Sequence, residues 1–208
     1  MFTGIISEIG EVRGILPARD GVTIKISCPE TSKGVSLGDS VSVNGVCLTV
    51  SGKEDLLSFD VVKNTLSLTN LKRLRSGSRV NIENAIKAGD KLSGHIVSGH
   101  IDGERKIRKN TKNGSGWVLE VVKQREDAGM TVEKGSVAVD GVSLTIGHDD
   151  PGFFRIFIIP YTLAGTTIPE RKIGDMVNVE YDILGKYARG GVRSVTVTEK
   201  KLRENGFI

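Results

Sequence analysis

Ser40-Val41-Ser42-Val43-Asn44-Gly45-Val46-Cys47-Leu48-Thr49-Val50 decides the fold, because it occurs twice. About 96 residues further on, Ser136-Val137-Ala138-Val139-Asp140-Gly141-Val142-Ser143-Leu144-Thr145-Ile146 matches it at most positions. Each copy is a pair of β-rich runs hinged at Asn-Gly or Asp-Gly, residues that tolerate positive φ and so favour a tight hairpin turn. The repeat extends outward from there. Thr3-Gly4-Ile5-Ile6 falls on Ser98-Gly99-His100-Ile101, Asn64-Thr65-Leu66 and Thr69 on Tyr161-Thr162-Leu163 and Thr166, and Gly77 with Val80-Asn81-Ile82-Glu83 on Gly174 with Val177-Asn178-Val179-Glu180. The chain of 208 residues therefore holds two related halves of about 95 residues, each near the size of a small domain.

Val22, Ile24 and Ile26 alternate with Thr23, Lys25 and Ser27, which predicts a strand buried on one face. Further strands are expected over 2–12, 57–62 and 79–84, with a helical or irregular plug at 66–71 over one barrel mouth. The second half predicts strands at 95–107, 117–122, 135–146, 153–159 and 176–181, a plug at 162–168, a flexible hairpin tip at 110–116 and one helical turn within 124–132. Six short antiparallel strands per half, with almost no helix, are expected to close into a barrel, because closure removes exposed edges. The expected fold is all-β: tandem six-stranded antiparallel β-barrels at 1–86 and 95–182, joined through a linker at 85–93, with a C-terminal α-helical segment at 183–208. In that segment, 184–188 reads as a helical turn stopped by Gly190-Gly191. Thr196-Val197-Thr198-Glu199 reads as a capping box opening a last helix through Arg203. A helix outside both barrels has to bury its apolar side against something, and a partner subunit would serve.

The net charge of +4 comes from interleaved signs, 29 Lys+Arg against 25 Asp+Glu. Lys72-Arg73-Leu74-Arg75 is the densest basic run and reads as a solvated turn. Few aromatics accompany it to stack bases, so no nucleic acid partner is expected. Cys28 and Cys47 make no disulfide framework. The start lacks a signal-peptide pattern, and no apolar run approaches the roughly 20 residues that span a bilayer. The expectation is a cytoplasmic protein without a membrane partner.

His95 and His100 lie in Gly94-His95-Ile96-Val97-Ser98-Gly99-His100-Ile101-Asp102-Gly103. On a strand their spacing puts them on opposite faces, and with no clustered Cys beside them no metal site is expected. His100 stands where the first half has Ile5, which suits either a satisfied polar rim residue or an acid/base group. Cys47 stands where the second half has Ser143, which suits either a small buried filler or a reactive thiol. Ser40, Thr49, Ser143 and Thr145 place hydroxyls on the same strand pairs. Converging at one rim, they would suit a planar heterocycle rich in carbonyl and ring-nitrogen acceptors. Neither a Gly-rich phosphate loop nor a nucleophile elbow occurs.

Met1-Phe2-Thr3-Gly4-Ile5-Ile6, Gly38-Asp39-Ser40-Val41 with the first hairpin, the histidine stretch, Lys134-Gly135-Ser136 with the second hairpin, and Gly185-Lys186-Tyr187 resemble the riboflavin synthase family (alpha subunit). The resemblance runs over nearly the whole chain and in register in both halves. It implies a cofactor-independent dismutation, the last step of riboflavin biosynthesis. Two molecules of 6,7-dimethyl-8-ribityllumazine exchange a four-carbon unit to give riboflavin and 5-amino-6-(D-ribitylamino)uracil. It also implies a homotrimer with each site between neighbouring subunits, and makes lumazine synthase a candidate partner without deciding whether the two dock. Carried over residue by residue, the amino-terminal pocket would use Gly4, Ile5, Ile6, Cys47, Leu48, Thr49, Asp60, Val61, Val62, Lys63, Asn64 and Thr65. The carboxy-terminal pocket would use Gly99, His100, Ile101, Ser143, Leu144, Thr145, Ile158, Ile159, Pro160, Tyr161 and Thr162, with Lys134 reaching in from an adjacent chain. The implied catalytic set is His100 as acid/base, Cys47 and Ser40 assisting addition at the other ring, and Thr145 positioning. Three departures stand out: Asn64 where the family usually has Glu, Ser93 where Gly is common, and Gly190-Gly191 in a segment that is ordinarily helical. The competing reading is a non-catalytic lumazine or flavin carrier resembling the antenna proteins of this fold.

Overall fold

The computed structural model describes residues 1–114, 116–191 and 203. The first half forms β1 (Glu8–Ala18), β2 (Gly21–Ser27), β3 (Ser40–Val43), β4 (Val46–Lys53), β5 (Leu57–Val62) and β6 (Arg79–Asn84). The second forms β7 (Gly103–Asn113), β8 (Gly116–Val122), β9 (Ser136–Val139), β10 (Val142–Asp150), β11 (Phe153–Ile158) and β12 (Met176–Tyr181). Each set closes into an antiparallel barrel, in the order β1-β2-β5-β4-β3-β6 and, in the same cyclic sense, β7-β8-β11-β10-β9-β12. Short helices punctuate the barrels: α1 (Pro29–Gly34), α2 (Lys63–Leu68) and α3 (Pro160–Ala164), with α4 (Ile183–Gly191) after the last strand.

Period-two alternation sends one face of every strand inward. Ile24, Val41, Phe59 and Ile82 fill the first interior and Val121, Val139, Phe154 and Val179 the second, all without solvent exposure. Burying such a side chain fully contributes about 1.5–3 kcal/mol, so the interiors fix strand register. The opposite face then carries Cys47 and Thr49 on β4 and Ser143 and Thr145 on β10.

The expected opening strands need correction. Residues 2–7 and 95–102 lie outside the ladders and meet at a single antiparallel bridge, Phe2 to Val97. At the turns of these segments buried carboxylates, not a neighbouring strand, take the backbone donors of Thr3, Gly4, Ser98 and Gly99. Glu83 accepts from the Thr3 and Gly4 N–H groups at 2.7 and 3.0 Å. Glu180 accepts from Ser98 and Gly99 at 2.7 and 2.9 Å. The strands instead run later than expected, and the supposed flexible tip at 110–113 is ladder, with Asn113 opposite Gly116. α1, unforeseen, starts at Pro29 and is held by Glu8, which accepts the Thr31 N–H. α4 continues through Gly190 to Gly191, past the expected stop. The capping box at 196–199 lies outside the described residues.

The two barrels dock through their hairpin tips with matching bonds in both directions. Asn81 N–H donates to Asn44 Oδ1 (2.9 Å) and Asn178 N–H to Asp140 Oδ1 (2.8 Å). Their side-chain amides cross over, Asn81 Nδ2 to the Asp140 carbonyl and Asn178 Nδ2 to the Asn44 carbonyl, both at 2.8 Å. Asn70 and Thr167, equivalent in the repeat, donate their backbone N–H groups to Asn178 and Asn81. A buried polar network with the same bonds made in both directions specifies one docking geometry.

Candidate functional site

The outward faces of β4 and β10 are each covered by a segment from the other half of the chain. Ser143 N–H donates to the Gly4 carbonyl at 2.8 Å, and Cys47 N–H donates to the Gly99 carbonyl at 3.0 Å. Ile6 packs on the core of the second barrel and Ile101 on that of the first. The grouping carried over with the resemblance is therefore crossed: Gly4, Ile5 and Ile6 sit with Ser143, and Gly99, His100 and Ile101 sit with Cys47. The approach is close enough to demand glycine. Gly4 and Gly99 have φ of +78° and +82°, and a Cβ on either would come within 2.5 Å of the Cβ of Ser143 or Cys47. Burial pushes the Glu83 carboxyl above the usual carboxylate range, against the opposing donors from Thr3 and Gly4.

The second half-site is a cleft of about 90 Å³ lined by Gly4, Ile5, Ile6, Val142, Ser143, Tyr161, Thr162, Gly165 and Thr166. A pocket for a small organic ligand usually encloses roughly 300–1,000 Å³, so this cleft is one wall of a site. Phe157, Ile159 and Tyr161 leave an apolar rim beside it open to solvent, Tyr161 at 86% exposure. The equivalent rim of the first barrel is more polar: Asp60, which accepts the Thr23 hydroxyl at 2.6 Å, then Val62 and Asn64.

The remaining expected residues divide by side-chain direction. Thr49 and Thr145 share the outward faces with Cys47 and Ser143, and Ser40 stands opposite Thr49 across the β3–β4 ladder. Leu48, Val61, Leu144 and Ile158 turn into the barrel interiors, so they can offer a ligand only backbone atoms. Lys63, Asn64 and Thr65 open α2 as Pro160, Tyr161 and Thr162 open α3, with Lys63 paired to Asp20 at 3.5 Å. His100 is exposed, its backbone N–H on the Ser98 hydroxyl at 3.2 Å. Lys134 sits where the chain enters β9, with φ of +65°. Among the described residues no group of three His, Cys, Asp or Glu side chains could hold a metal, and no helix is long and apolar enough to cross a membrane.

One residue at the site was missed. His95 places Nδ1 2.7 Å from Ser143 Oγ. Treating 95–107 as one strand hid it, because only the irregular path of 95–102 brings the imidazole over the second barrel. Its signals in the sequence were its place in the Gly94-to-Gly103 stretch and the lack of any first-half residue aligned with it.

Known proteins agree with this architecture. The lumazine binding domain family model matches residues 3–85 and again 98–182. Riboflavin synthase of Actinobacillus pleuropneumoniae is 40% identical, covering 90% of this chain and 87% of its own. That of Bacillus subtilis (strain 168) is 37% identical and covers both chains completely. Among solved structures, LumP complexed with riboflavin superposes with a TM-score of 0.80 at 24% identity, over 87% of this chain and 99% of its own. LumP complexed with 6,7-dimethyl-8-(1'-D-ribityl) lumazine gives 0.78 at 23%, over 86% and 98%. The LumP likeness is one of fold. The duplicated hairpins, the two identically wound barrels and relatives matched from end to end converge on one conclusion: the chain belongs to the riboflavin synthase family.

Proposed function

We propose that this chain is a riboflavin synthase that converts two molecules of 6,7-dimethyl-8-ribityllumazine into riboflavin and 5-amino-6-(D-ribitylamino)uracil. The observation that carries the reading is the pair of half-sites, alike in frame and different in chemistry, on a chain matched throughout by curated synthases. A reaction between two copies of one substrate calls for two related binding faces. The face around Cys47 and Thr49, covered by Gly99 to Ile101, would hold one ring, and the face around Ser143 and Thr145, covered by Gly4 to Ile6, the other. The two faces would meet across subunits of a homotrimer, which suits the shallow cleft at Ser143 and the bare Ile159 and Tyr161 beside it. Lys134 of a neighbouring subunit would reach into that junction. Leu184 and Tyr187, both exposed on α4, suit a C-terminal segment that packs against another subunit. The free thiols of Cys28 and Cys47 fit a cytoplasmic location. Lumazine synthase is a candidate partner, and co-sedimentation decides whether the two associate.

The chemistry takes a proton from the acidic C7 methyl of one lumazine and adds a nucleophile at C7 of the other. The rings themselves serve as electron sink and carbon donor. His100 would be the acid/base group, since an imidazole can both take up a proton and return it. It sits over the barrel that also carries Cys47, which with Ser40 would assist addition, while Thr145 positions the ring on the second barrel. Orientation of two rings in contact can contribute about 7–11 kcal/mol of the barrier.

The test is to mix the protein with 6,7-dimethyl-8-ribityllumazine alone and follow riboflavin absorbance with substrate loss. One riboflavin formed per two lumazines consumed is the expected result; tight binding without product would make the chain a carrier instead. A monomeric mass by light scattering at micromolar concentration would contradict the shared site.

A further inference from the structure

Gly94 and His95 also lie against Ser143. His95 N–H donates to the Thr3 carbonyl at 3.1 Å, which fixes the backbone. A Cβ at position 94 would stand 3.0 Å from Ser143 Oγ and would collide with the Thr3 carbonyl, so only glycine permits this path. The imidazole then lies with Nδ1 at 2.7 Å from Ser143 Oγ, while Nε2 is buried with no hydrogen-bond partner. Burial pushes the ring toward its neutral form, against Asp182 and Glu180, which pull the other way. A neutral ring carries one proton, and the two nitrogens compete for it. An orphaned buried N–H is rarer and costlier than an unpaired acceptor, so the proton belongs on Nδ1, where it meets the serine oxygen. Ser143 Oγ then accepts from the ring, and its own hydrogen is left to point elsewhere.

Resting on the synthase reading above, we propose that His95 is a positioning residue: it donates from Nδ1–H to Ser143 Oγ and so turns the Ser143 hydroxyl hydrogen into the cleft, as a donor to a carbonyl or ring-nitrogen acceptor of the bound heterocycle. Among the described residues the Cys47 thiol has no imidazole partner of this kind. The device therefore distinguishes the two half-sites: the second barrel presents a directed donor, the first an undirected thiol.

The test is a double-mutant cycle read in two ways: kcat/KM for riboflavin formation, and lumazine affinity by fluorescence titration. Ser143→Ala is expected to cost about 100-fold in kcat/KM, and His95→Leu nearly as much. The double variant should be no worse than Ser143→Ala alone. His95→Asn, which keeps an N–H donor close to the place of Nδ1, should recover most of the loss. Equal losses from His95→Leu with and without Ser143, or a His95→Asn variant as poor as His95→Leu, would overturn the proposal. Should the leucine variant fail to fold, nitrogen-15 NMR of the unaltered protein decides: a proton on Nδ1 is expected, and one on Nε2 refutes the assignment. A wild-type protein that binds lumazine without making riboflavin would sink the synthase reading while leaving the affinity cycle able to judge His95.

Discussion

Replacing Gly99 with alanine separates crossed cover from the arrangement in which each half covers its own barrel. Gly99 sits at φ +82°, and a new Cβ would lie 2.5 Å from Cys47 Cβ and 2.8 Å from Cys47 N. The left-handed backbone costs an L-residue about 1–2 kcal/mol, and forcing a methyl into a packed contact costs about 1–3 kcal/mol more. The sum of roughly 2–5 kcal/mol should lower the melting temperature by roughly 4–20 °C in a chain of this length. Part of it will be relieved by lifting 99–101 off β4, and Cys47 reports that movement. Cys28 is 2% exposed and burial pushes its thiol up to about 12, so it stays protonated and hidden. An aromatic disulfide reagent at neutral pH then reads Cys47, the second of the two cysteines. Gly99→Ala should accelerate that labelling, whereas Gly4→Ala, which collides with Ser143, should destabilise the protein and leave the Cys47 rate alone. The opposite pattern, with Gly4→Ala exposing Cys47, would refute the crossing.

Three further outcomes are expected. The Cys28 thiol is raised from 9.0 to about 12, so the folded state holds a proton that the unfolded chain releases; stability should be intact below pH 9 and fall between pH 9 and 12. Cys28→Ala should flatten that alkaline loss in denaturant titrations, leaving a smaller slope from Tyr181, whose hydroxyl burial also pushes up. Arg105 and Asp127 form a buried pair at 2.5 Å. Arg105→Met alone should cost about 3–5 kcal/mol in chemical unfolding, and adding Asp127→Leu should restore part of it, because the lone carboxylate is what the core cannot tolerate. His100→Ala should slow turnover by about 100-fold with lumazine binding retained, and unchanged turnover would remove it from the chemistry. Cys47→Ser should lose turnover while melting normally; the reverse would make Cys47 a packing residue.

The barrels were legible because their signals are local. Asn44-Gly45 and Asp140-Gly141 announce the turns, and the strands expected at 57–62, 79–84 and 176–181 match the observed ones residue for residue. The site segments were not legible, since Ile5-Ile6 and His95-Ile96-Val97 carry the same β-rich composition whatever satisfies their backbone. What satisfies it here is a carboxylate about 80 residues away, as between Thr3 and Glu83, and no window of sequence contains both. α4 illustrates another limit: a glycine in a helix costs about 1 kcal/mol, a penalty that one residue such as Gly190 can carry without ending it.

The crossing itself follows from how the halves dock. Phe2 and Val97 occupy the same place in the repeat, and they pair with each other in an antiparallel bridge. Gly45 and Gly141 are equally equivalent, and a Cβ on either would stand 2.7 Å from the other's backbone nitrogen. An antiparallel contact between a residue and its own equivalent has to lie on the pseudo-two-fold axis that relates the halves. A segment that passes through such an axis emerges over its partner's barrel, so Thr3 to Ile6 and Ser98 to Ile101 must exchange. Divergence between the copies is thereby redirected. Placing His100 where the first half has Ile5 changes the site on the first barrel, beside Cys47, and not the barrel whose sequence surrounds it. The half-site with the thiol acquires the exposed imidazole, and the half-site with the serine keeps Ile5 above it and His95 against its hydroxyl. Two copies of one barrel became chemically distinct through a substitution on the strand itself, Cys47 against Ser143, and one that acts on the other copy, His100 against Ile5.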